Sequence, residues 1–374
     1  MARLSIRTQD LHASPVREML SVAQRPEVIS FAGGLPAAET FAGLDMPQPP
    51  RDLLQYGPTE GEPDLRARIA EELRGLGVDA AADRVLVLSG SQQGIDLAAK
   101  LVVDAGAVVA VEEPAYLAAL QVFRFFGARF ERIDRAEPDA GWAKAPPRLA
   151  YVTPTFQNPS GICWSADERA ALAGACDRHE VILFEDDPYR DLAYEPCERR
   201  PAVAWLERAS WIYQGSFSKT AAPGLRLGFL TASADLFPYL VRLKQAADLH
   251  TNRLSQWMVL QHLEAPDRAQ RMGKLIAFYR GRRDAFDAAL QRHLGGLADW
   301  TSPPGGLFFW VTLRDGIDAQ ALLQRAMARN VLFTPGGHFL AQGGASSAMR
   351  LNFSLAPPQD AERGLRILGE LLRA

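Results

Sequence analysis

The sequence predicts an α/β fold in which a large domain with a mostly parallel, seven-stranded sheet is joined to a smaller α+β domain. Short apolar segments alternate with longer amphipathic segments between residues 84 and 231. The apolar segments are almost continuously hydrophobic, as expected for strands that are covered on both faces. After about residue 275 this rhythm changes, which indicates a second unit. A chain of 374 residues is long enough for two domains.

Seven apolar segments are predicted to be buried strands, because each combines continuous hydrophobicity with a strand-like length. They are residues 84–89, 108–112, 128–133, 149–153, 181–185, 211–215 and 226–231. Helical patterns accompany them: Leu65, Ile69 and Leu73 recur every four residues, and an apolar stripe runs over residues 95–102, where Gly106 is placed to end the helix. Alternating strands and helices imply parallel strands joined by right-handed crossovers.

The C-terminal part has a different order of elements. Residues 275–294 show a long helical pattern, residues 307–313 a strand, and residues 358–372 a closing helix. About forty residues at the start are too few to fold alone and are expected to pack with this unit. We therefore predict an N-terminal segment (1–45) packing with the small domain, a large ligand-binding domain (46–274) and a small α+β domain (275–374).

Composition argues against several classes of protein. The net charge is −3, so neither nucleic acid nor an anionic membrane surface is expected as a partner. The apolar runs are too short to span a bilayer and the first residues lack an apolar signal segment, so we expect a cytoplasmic protein. The three cysteines lack metal-ligand spacing and the six histidines are scattered, so no metal site is expected.

One of only five lysines has the surroundings of a reactive amine. Lys219 follows an apolar strand and lies among small hydroxyl residues in SFSKTAAPGLRLG, residues 216–228. Burial disfavours the charged form of a lysine, which lowers its pKa and frees the neutral amine for imine formation. Ser216, Ser218 and Arg226 could bind a phosphate nearby. An ordinary turn with one surface lysine remains the alternative.

A second motif, FEDDPY at residues 184–189, ends a predicted strand. It lies at the carboxyl edge of the sheet, where open α/β folds bind ligands. Asp186 and Tyr189 are three residues apart, so a carboxylate and a phenol could hold a ring nitrogen and a ring hydroxyl of one ligand. A solvated strand end is the alternative for an isolated acidic run.

Two turns complete the pattern. LSGSQQG at residues 88–94 joins a strand to a helix, and the free amides of a helix start favour a phosphate. It lacks the glycine patterns of nucleotide hydrolases and dinucleotide-binding folds. TPTFQNPSG at residues 153–161 is by itself plain turn chemistry. These motifs gain weight because they occur in order, with Tyr116 in EEPAY between them, each at or just after a predicted strand end.

This ordered set resembles the fold-type I pyridoxal-phosphate aminotransferases of class I/II, which have the aspartate-aminotransferase fold. Further segments are similar to the 2-aminoadipate, kynurenine and multi-substrate branch, namely FAGGLP (31–36), LQYGPTEG (54–61), SGSQQG (89–94) and SFSK with its APGLR tail. The resemblance covers nearly the whole chain from about residue 14. It implies pyridoxal phosphate as the cofactor and amino-group transfer between an L-α-amino acid and a 2-oxo acid, with glutamate and 2-oxoglutarate as one pair and a 2-aminoadipate-type or broad specificity for the other.

The resemblance also implies individual roles at the cofactor. Lys219 would carry the cofactor and move the proton between Cα and C4′, while Asp186 would keep the ring nitrogen protonated. Tyr189 and Asn158 would hydrogen-bond the ring O3′, and Tyr116 would stack on the ring. The phosphate-binding turn and its partners would comprise Gly90, Ser91, Gln92, Ser216, Ser218 and Arg226.

For the substrate, Arg350 in MRLNFS matches the arginine that binds the α-carboxylate, with Gly34 and Asn158 as further implied contacts. Tyr56 matches a tyrosine that reaches into the neighbouring subunit's site, which implies a homodimer with shared active sites. Arg17 lies in SPVREML, residues 14–20, which predicts a short helix, and it is a candidate selector of a distal carboxylate. A surface arginine paired with a nearby acid is the equal alternative.

Other activities use the same cofactor set. A pyridoxal-phosphate-dependent lyase, decarboxylase or amino-acid oxidase remains an alternative, because reaction type in this fold depends on details of the pocket. A distant alternative is a non-catalytic regulatory module, as in transcription factors that fuse a winged helix to this fold. We expect no such DNA-binding domain, since the motifs begin by residue 31. Primary or specialised metabolism, and the physiological donor and acceptor, stay open.

Overall fold

The computed structural model describes residues 5, 7–8, 25–41 and 48–374. Its strands in chain order are β1 (Ile29–Ser30), β2 (Val85–Leu88), β3 (Val108–Val111), β4 (Arg129–Arg132), β5 (Leu149–Val152), β6 (Ile182–Asp186), β7 (Trp211–Ser216), β8 (Gly228–Ala232), β9 (Ala298–Trp300), β10 (Phe308–Leu313), β11 (Val331–Leu332), β12 (Thr334–Pro335) and β13 (Ala348–Asn352). The helices are α1 (Pro63–Gly75), α2 (Ser91–Val102), α3 (Leu117–Phe125), α4 (Ala166–His179), α5 (Phe237–Asp248), α6 (Arg253–Glu264), α7 (Arg268–Leu294), α8 (Ala319–Met327) and α9 (Pro358–Arg373).

The main sheet has seven strands in the order β2-β8-β7-β6-β5-β3-β4. Strand β8 runs antiparallel to both neighbours, and the other six strands share one direction. Apolar clusters fill both faces: α1, α4 and α6 contribute to one cluster, and α2, α3 and α5 to the other. This double covering explains the continuous hydrophobicity of the strands, and the mostly parallel seven-stranded sheet is confirmed.

The elements that follow α6 in the chain form a second group of strands and helices. Strands β12, β13, β10 and β9 form an antiparallel four-stranded sheet in that order, and β1 pairs in parallel with β11. One apolar core joins these strands to α7, α8 and α9 and includes Ile29 and Phe31. The described residues around β1 thus pack with C-terminal elements.

Three details differ from the sequence expectation or qualify it. The second helix ends at Val102, whereas Gly106 lies in the following turn with a φ of 84°. The segment predicted as the last strand of a parallel sheet forms β8, the antiparallel strand, because hydrophobicity carries no information on strand direction. Helix α7 begins at Arg268 and runs through residue 274, so the predicted boundary falls inside a helix. The domain division stays a prediction.

Candidate cofactor site

The main sheet places polar side chains around one cavity at the carboxyl ends of its parallel strands. Asp186 is the last residue of β6, Ser216 is the last of β7, and Thr153 follows β5 directly. The cavity measures about 260 Å³. Ten residues proposed from the sequence line it: Ser91, Gln92, Tyr116, Asn158, Asp186, Tyr189, Ser216, Ser218, Lys219 and Arg226, together with Thr153 and Pro188.

The buried carboxylate of Asp186 has one oxygen occupied and one without a partner. The Tyr151 hydroxyl donates a hydrogen bond of 2.7 Å to Oδ2, while the buried Oδ1 has no hydrogen-bond partner. Desolvation raises the pKa of Asp186 to about 6, against the hydrogen bond from Tyr151. A protonated ring nitrogen at Oδ1 would supply both the missing donor and a positive charge, and would bring this pKa down.

The amine of Lys219 is prepared for nucleophilic chemistry. Its Nζ donates a 2.8 Å hydrogen bond to the carbonyl of Gly34, in the segment that follows β1. Desolvation lowers the pKa of Lys219 to about 8, and the positive charges of Arg350 and Arg226 add to this effect. A substantial share of the amine is therefore neutral near physiological pH, which is the form that attacks a carbonyl carbon.

The turn before α2 forms an anion-binding cradle. Gly90 has a φ of 83°, a conformation that favours glycine, and a Cβ there would lie 2.5 Å from Nη2 of Arg226. A Cβ on Gly228 would meet the backbone nitrogen of Ser91 at 2.9 Å, so β8 also approaches this turn closely. The exposed Arg226 guanidinium and the free amides of the helix start together suit a phosphate.

Arg350 on β13 brings the second sheet to the cavity. Its Nη1 donates a 2.7 Å hydrogen bond to Oδ1 of Asn158, and its Nη2 donates to the carbonyl of Ala32. The guanidinium lies 4.5 Å from the ring centroid of Phe308 and 5.0 Å from that of Phe339. Its buried Nε has no partner, and among the described residues no carboxylate forms an ion pair with it. Burial lowers the pKa of Arg350 to about 10.

Asn158 connects this guanidinium to the aromatic side of the cavity. Its Nδ2 lies 3.4 Å from the hydroxyl of Tyr189, to which it donates, while its Oδ1 accepts from Arg350. Burial raises the pKa of the Tyr189 hydroxyl above its usual value and that of Tyr116 to about 12, so both phenols stay protonated. Neutral phenols can donate to a ring oxygen as well as accept from Asn158.

Two predicted substrate residues lie apart from this cavity or outside the description. Tyr56 does not line it; its side chain is 77% exposed, with its ring 5.8 Å from that of His250. Arg17 and the short helix predicted around it lie outside the described residues. Sequence reasoning missed Tyr151, although a hydroxyl in a fully buried strand needs a partner and could have been matched to an acid.

The rest of the described chain offers no metal cluster and no membrane span. Groups of three or more His, Cys, Asp or Glu side chains suited to a metal ion are absent from the residues described. None of the helices in the same ranges is both long and apolar enough to cross a bilayer.

The residues around the cavity fit one kind of cofactor. Oδ1 of Asp186 lacks a donor, Lys219 offers an amine that is partly neutral near physiological pH, and the Arg226 guanidinium lies against the turn before α2. A pyridine ring that carries an aldehyde and a phosphate meets all three groups at once. Fold and site together define a pyridoxal-phosphate-dependent enzyme of fold type I.

Comparison with known proteins identifies the family. The sequence matches aminotransferase class I and II over residues 47–368, and the chain belongs to this family. A 2-aminoadipate transaminase from Thermus thermophilus is 36% identical over 97% of this chain and 94% of the relative. Aromatic-amino-acid aminotransferase 1 from Thermococcus litoralis is 34% identical over 97% of this chain and 92% of the relative.

Solved structures agree with this assignment. The crystal structure of α-aminoadipate aminotransferase from Thermus thermophilus, complexed with N-(5'-phosphopyridoxyl)-L-leucine, matches with a TM-score of 0.87 and 34% identity, covering 99% of this chain and 97% of that chain. The crystal structure of the kynurenine aminotransferase from Pyrococcus horikoshii matches with a TM-score of 0.90 and 32% identity, and the match covers 99% of this chain and 96% of that chain. The protein is a transaminase that uses pyridoxal phosphate, and this reading is favoured over the lyase, decarboxylase, oxidase and regulatory alternatives.

Proposed function

We propose that the enzyme moves an amino group between glutamate or 2-oxoglutarate and a second amino acid or 2-oxo acid, of the 2-aminoadipate type or of a broader range. The observation that carries this proposal is the buried guanidinium of Arg350, which has no carboxylate partner among the described residues and lies next to Asn158. Such a group is suited to bind an α-carboxylate in a bidentate way. The names of the relatives support the choice of substrate class.

When bound, pyridoxal phosphate supplies an aldehyde that accepts an amino group and a ring that accepts the electron pair released at the substrate Cα. Asp186 would hold a proton on the ring nitrogen through its unpartnered Oδ1, which favours that acceptance electrostatically. The Tyr151 hydroxyl orients the carboxylate by its 2.7 Å hydrogen bond to Oδ2. Asn158 and Tyr189 would donate to the ring O3′, and Tyr116 would stack on the ring face.

Lys219 would hold the cofactor at its aldehyde carbon until a substrate amine takes its place. Its freed Nζ would then move a proton between the substrate Cα and the cofactor C4′, as a general base and acid in turn. Arg350 would fix the substrate carboxylate, and the carbonyl of Gly34 would orient the lysine amine by the 2.8 Å hydrogen bond it accepts. The phosphate would be held by Gly90, Ser91, Gln92, Ser216, Ser218 and Arg226.

We also propose a cytoplasmic homodimer in which Tyr56 completes the site of the second copy. The exposure of this tyrosine, 77%, and of its neighbour Leu54, 75%, supports a covered surface in the assembly. The division into a large domain (46–274) and a small domain (275–374), with the N-terminal segment (1–45) packing against the small domain, remains part of this proposal.

Cofactor capture by cofactor-free protein is expected to depend on pH with a midpoint near 8, because only the neutral amine of Lys219 reacts. A group of this pKa is about 3% neutral at pH 6.5 and about 90% neutral at pH 9, so the rate constant should rise roughly 30-fold and then level off. Stopped-flow absorbance of the bound cofactor measures this rate constant at each pH. A rate that still rises tenfold per pH unit through pH 9 would indicate an ordinary lysine pKa and contradict the prediction.

A screen of the first half-reaction tests the substrate assignment. The yellow enzyme is mixed with single amino acids, and the loss of the bound-cofactor absorbance is followed. We expect glutamate and 2-aminoadipate to react with the highest kcat/KM, and Arg17→Ala to lower this value about 10-fold or more for these two, with leucine as the control that lacks a distal carboxylate. If Arg17→Ala lowered kcat/KM equally for leucine, or left it unchanged for both glutamate and 2-aminoadipate, Arg17 would not be a selector of the distal carboxylate. A reaction that formed no 2-oxo acid would contradict the proposed transamination.

A further inference from the structure

Two of the three cysteines lie together on the far side of the loop that carries Asn158. Cys163 follows this loop, Cys197 belongs to the segment after Tyr194, and both are half-buried against the core of the second sheet. The third, Cys176, is fully buried in α4. We propose that Cys163 and Cys197 form a redox-modification site, in which Cys163 reacts with a peroxide and Cys197 closes a reversible disulfide.

The geometry brings the two sulfurs and a cation into one cluster. Cys163 and Cys197 pack against the same apolar core. The neutral thiol of Cys163 donates a 3.2 Å hydrogen bond to the carbonyl of Glu198, the residue next to Cys197. Nη2 of Arg169 lies 3.7 Å from the same sulfur. A thiol beside a guanidinium and a second thiol is the arrangement from which reactive cysteines arise.

Arg169 is fixed in this place by burial and by several acceptors. Its side chain is fully buried, and its Nη2 donates to the carbonyls of Pro154 and Glu198 at 2.9 and 3.2 Å. The opposing acid is Glu185 at 3.6 Å, on strand β6. The cation therefore cannot turn away to solvent, and helix α4 holds it against Cys163.

The electrostatics distinguish the two thiols. A hydrogen bond from Cys197 and the charge of Arg169 lower the pKa of Cys163 to about 7, although burial and the negative charge of Asp187 oppose this shift. The same hydrogen bond, together with burial, raises the pKa of Cys197. Desolvation raises the pKa of the third thiol, Cys176, so it stays protonated. Cys163 is the nucleophile of the pair and Cys197 the resolving thiol.

The reaction balances with a peroxide as the two-electron oxidant. The thiolate of Cys163 attacks one oxygen of hydrogen peroxide, the O–O bond breaks, and hydroxide leaves to take a proton, which yields a sulfenic acid and water. Sγ of Cys197 then attacks Sγ of Cys163, the S–S bond forms, and the sulfenic hydroxyl leaves as a second water with the proton of Cys197. A dithiol reductant reverses the bridge.

The bridge would connect two segments that border the proposed site. Residues 153–161 carry Asn158, whose Oδ1 accepts from Arg350. Residues 193–195 contact the glycine turn before β10, because the backbone nitrogen of Tyr194 donates to the carbonyl of Pro304 at 2.8 Å. A disulfide between positions 163 and 197 would thus tie the Asn158 loop to the entrance of the second sheet, independently of which substrate the enzyme takes.

Thiol counting on the holoenzyme tests the pair. Reduced enzyme, freed of reductant, is treated with hydrogen peroxide, denatured and titrated. We expect the free thiols to fall from three to one, a bridged peptide pair that contains Cys163 and Cys197, and recovery of all three thiols with dithiothreitol. The matched variant Cys176→Ser should fall from two thiols to none, since its remaining pair is intact.

Single variants assign the roles. In Cys197→Ser, dimedone should trap a sulfenic acid on Cys163, whereas in Cys163→Ser the thiol of Cys197 should survive the same treatment. Iodoacetamide at pH 7 should modify Cys163 at least about 10-fold faster than Cys176. The proposal is overturned if three thiols persist, if the bridge includes Cys176 or joins two chains, or if Cys197 is oxidised equally well without Cys163. Retained cofactor absorbance shows that each variant is folded.

Discussion

Lys219→Ala is expected to lower kcat of the half-reaction by at least about 10⁴-fold, the largest effect of any single replacement in the proposed site. The change removes the amine that would hold the cofactor and also the base that would take the proton from the substrate Cα. No other lysine lines the cavity within the described chain. Single-turnover absorbance changes with glutamate measure the loss.

Lys100→Ala is the matched control for this experiment. Lys100 lies on the surface of α2, where it pairs with Asp96 at 2.5 Å, so its loss should change kcat by less than about twofold. The Lys219→Ala protein should still bind pyridoxal phosphate, because the phosphate cradle and Asp186 are intact. Borohydride should no longer fix the cofactor to the chain. A variant that keeps a tenth of the normal kcat would refute the proton-transfer role.

Asp186→Asn is expected to lower kcat about 10²- to 10³-fold, because an amide has no negative charge to keep the ring nitrogen protonated. The isosteric side chain can keep a hydrogen bond with Tyr151, so the fold should change little. Cofactor affinity should weaken as well, since Oδ1 loses its charge-assisted contact. Spectral titration of the cofactor and single-turnover rates separate the two effects.

The adjacent acid gives a close control. Asp187 is also buried at the end of β6, but its Oδ2 accepts from the Tyr213 hydroxyl at 2.9 Å, on the side away from the cofactor cavity. Asp187→Asn should therefore reduce the melting temperature while leaving kcat within about threefold. An equal loss of kcat in both variants would show that Asp186 acts through packing rather than through its charge.

The cofactor side of the site could be predicted from the sequence because its residues stand in short motifs at strand ends. Lys219, Asp186 and the turn at Gly90 each follow a segment whose hydrophobicity identifies a strand. The carboxyl ends of parallel strands meet at one edge, so order along the chain was enough to bring these residues together. Ten of the eleven residues proposed to bind the cofactor line the cavity, and the eleventh, Gly90, lies in the turn directly before Ser91.

The contacts between distant segments could not be predicted in this way. Arg350 donates to the carbonyl of Ala32 and to Asn158, which are far from it in the sequence, and no local pattern encodes such a pairing. The placement of the Phe308 and Phe339 rings against the Arg350 guanidinium could not be predicted either, because burial of an aromatic ring does not reveal which cation it faces. The direction of β8 could not be predicted from the sequence either, since antiparallel and parallel buried strands have the same composition.

The distribution of the site along the chain sets an order for its construction. The proposed phosphate and ring anchors lie between Gly90 and Arg226, whereas the carboxylate grip requires Arg350 with Asn158 and Ala32. Synthesis on the ribosome proceeds from the N-terminus, so the cradle is translated before the arginine exists. A nascent chain that ends before Arg350 therefore already contains every proposed phosphate and ring anchor, but it lacks the residue proposed to bind the substrate carboxylate.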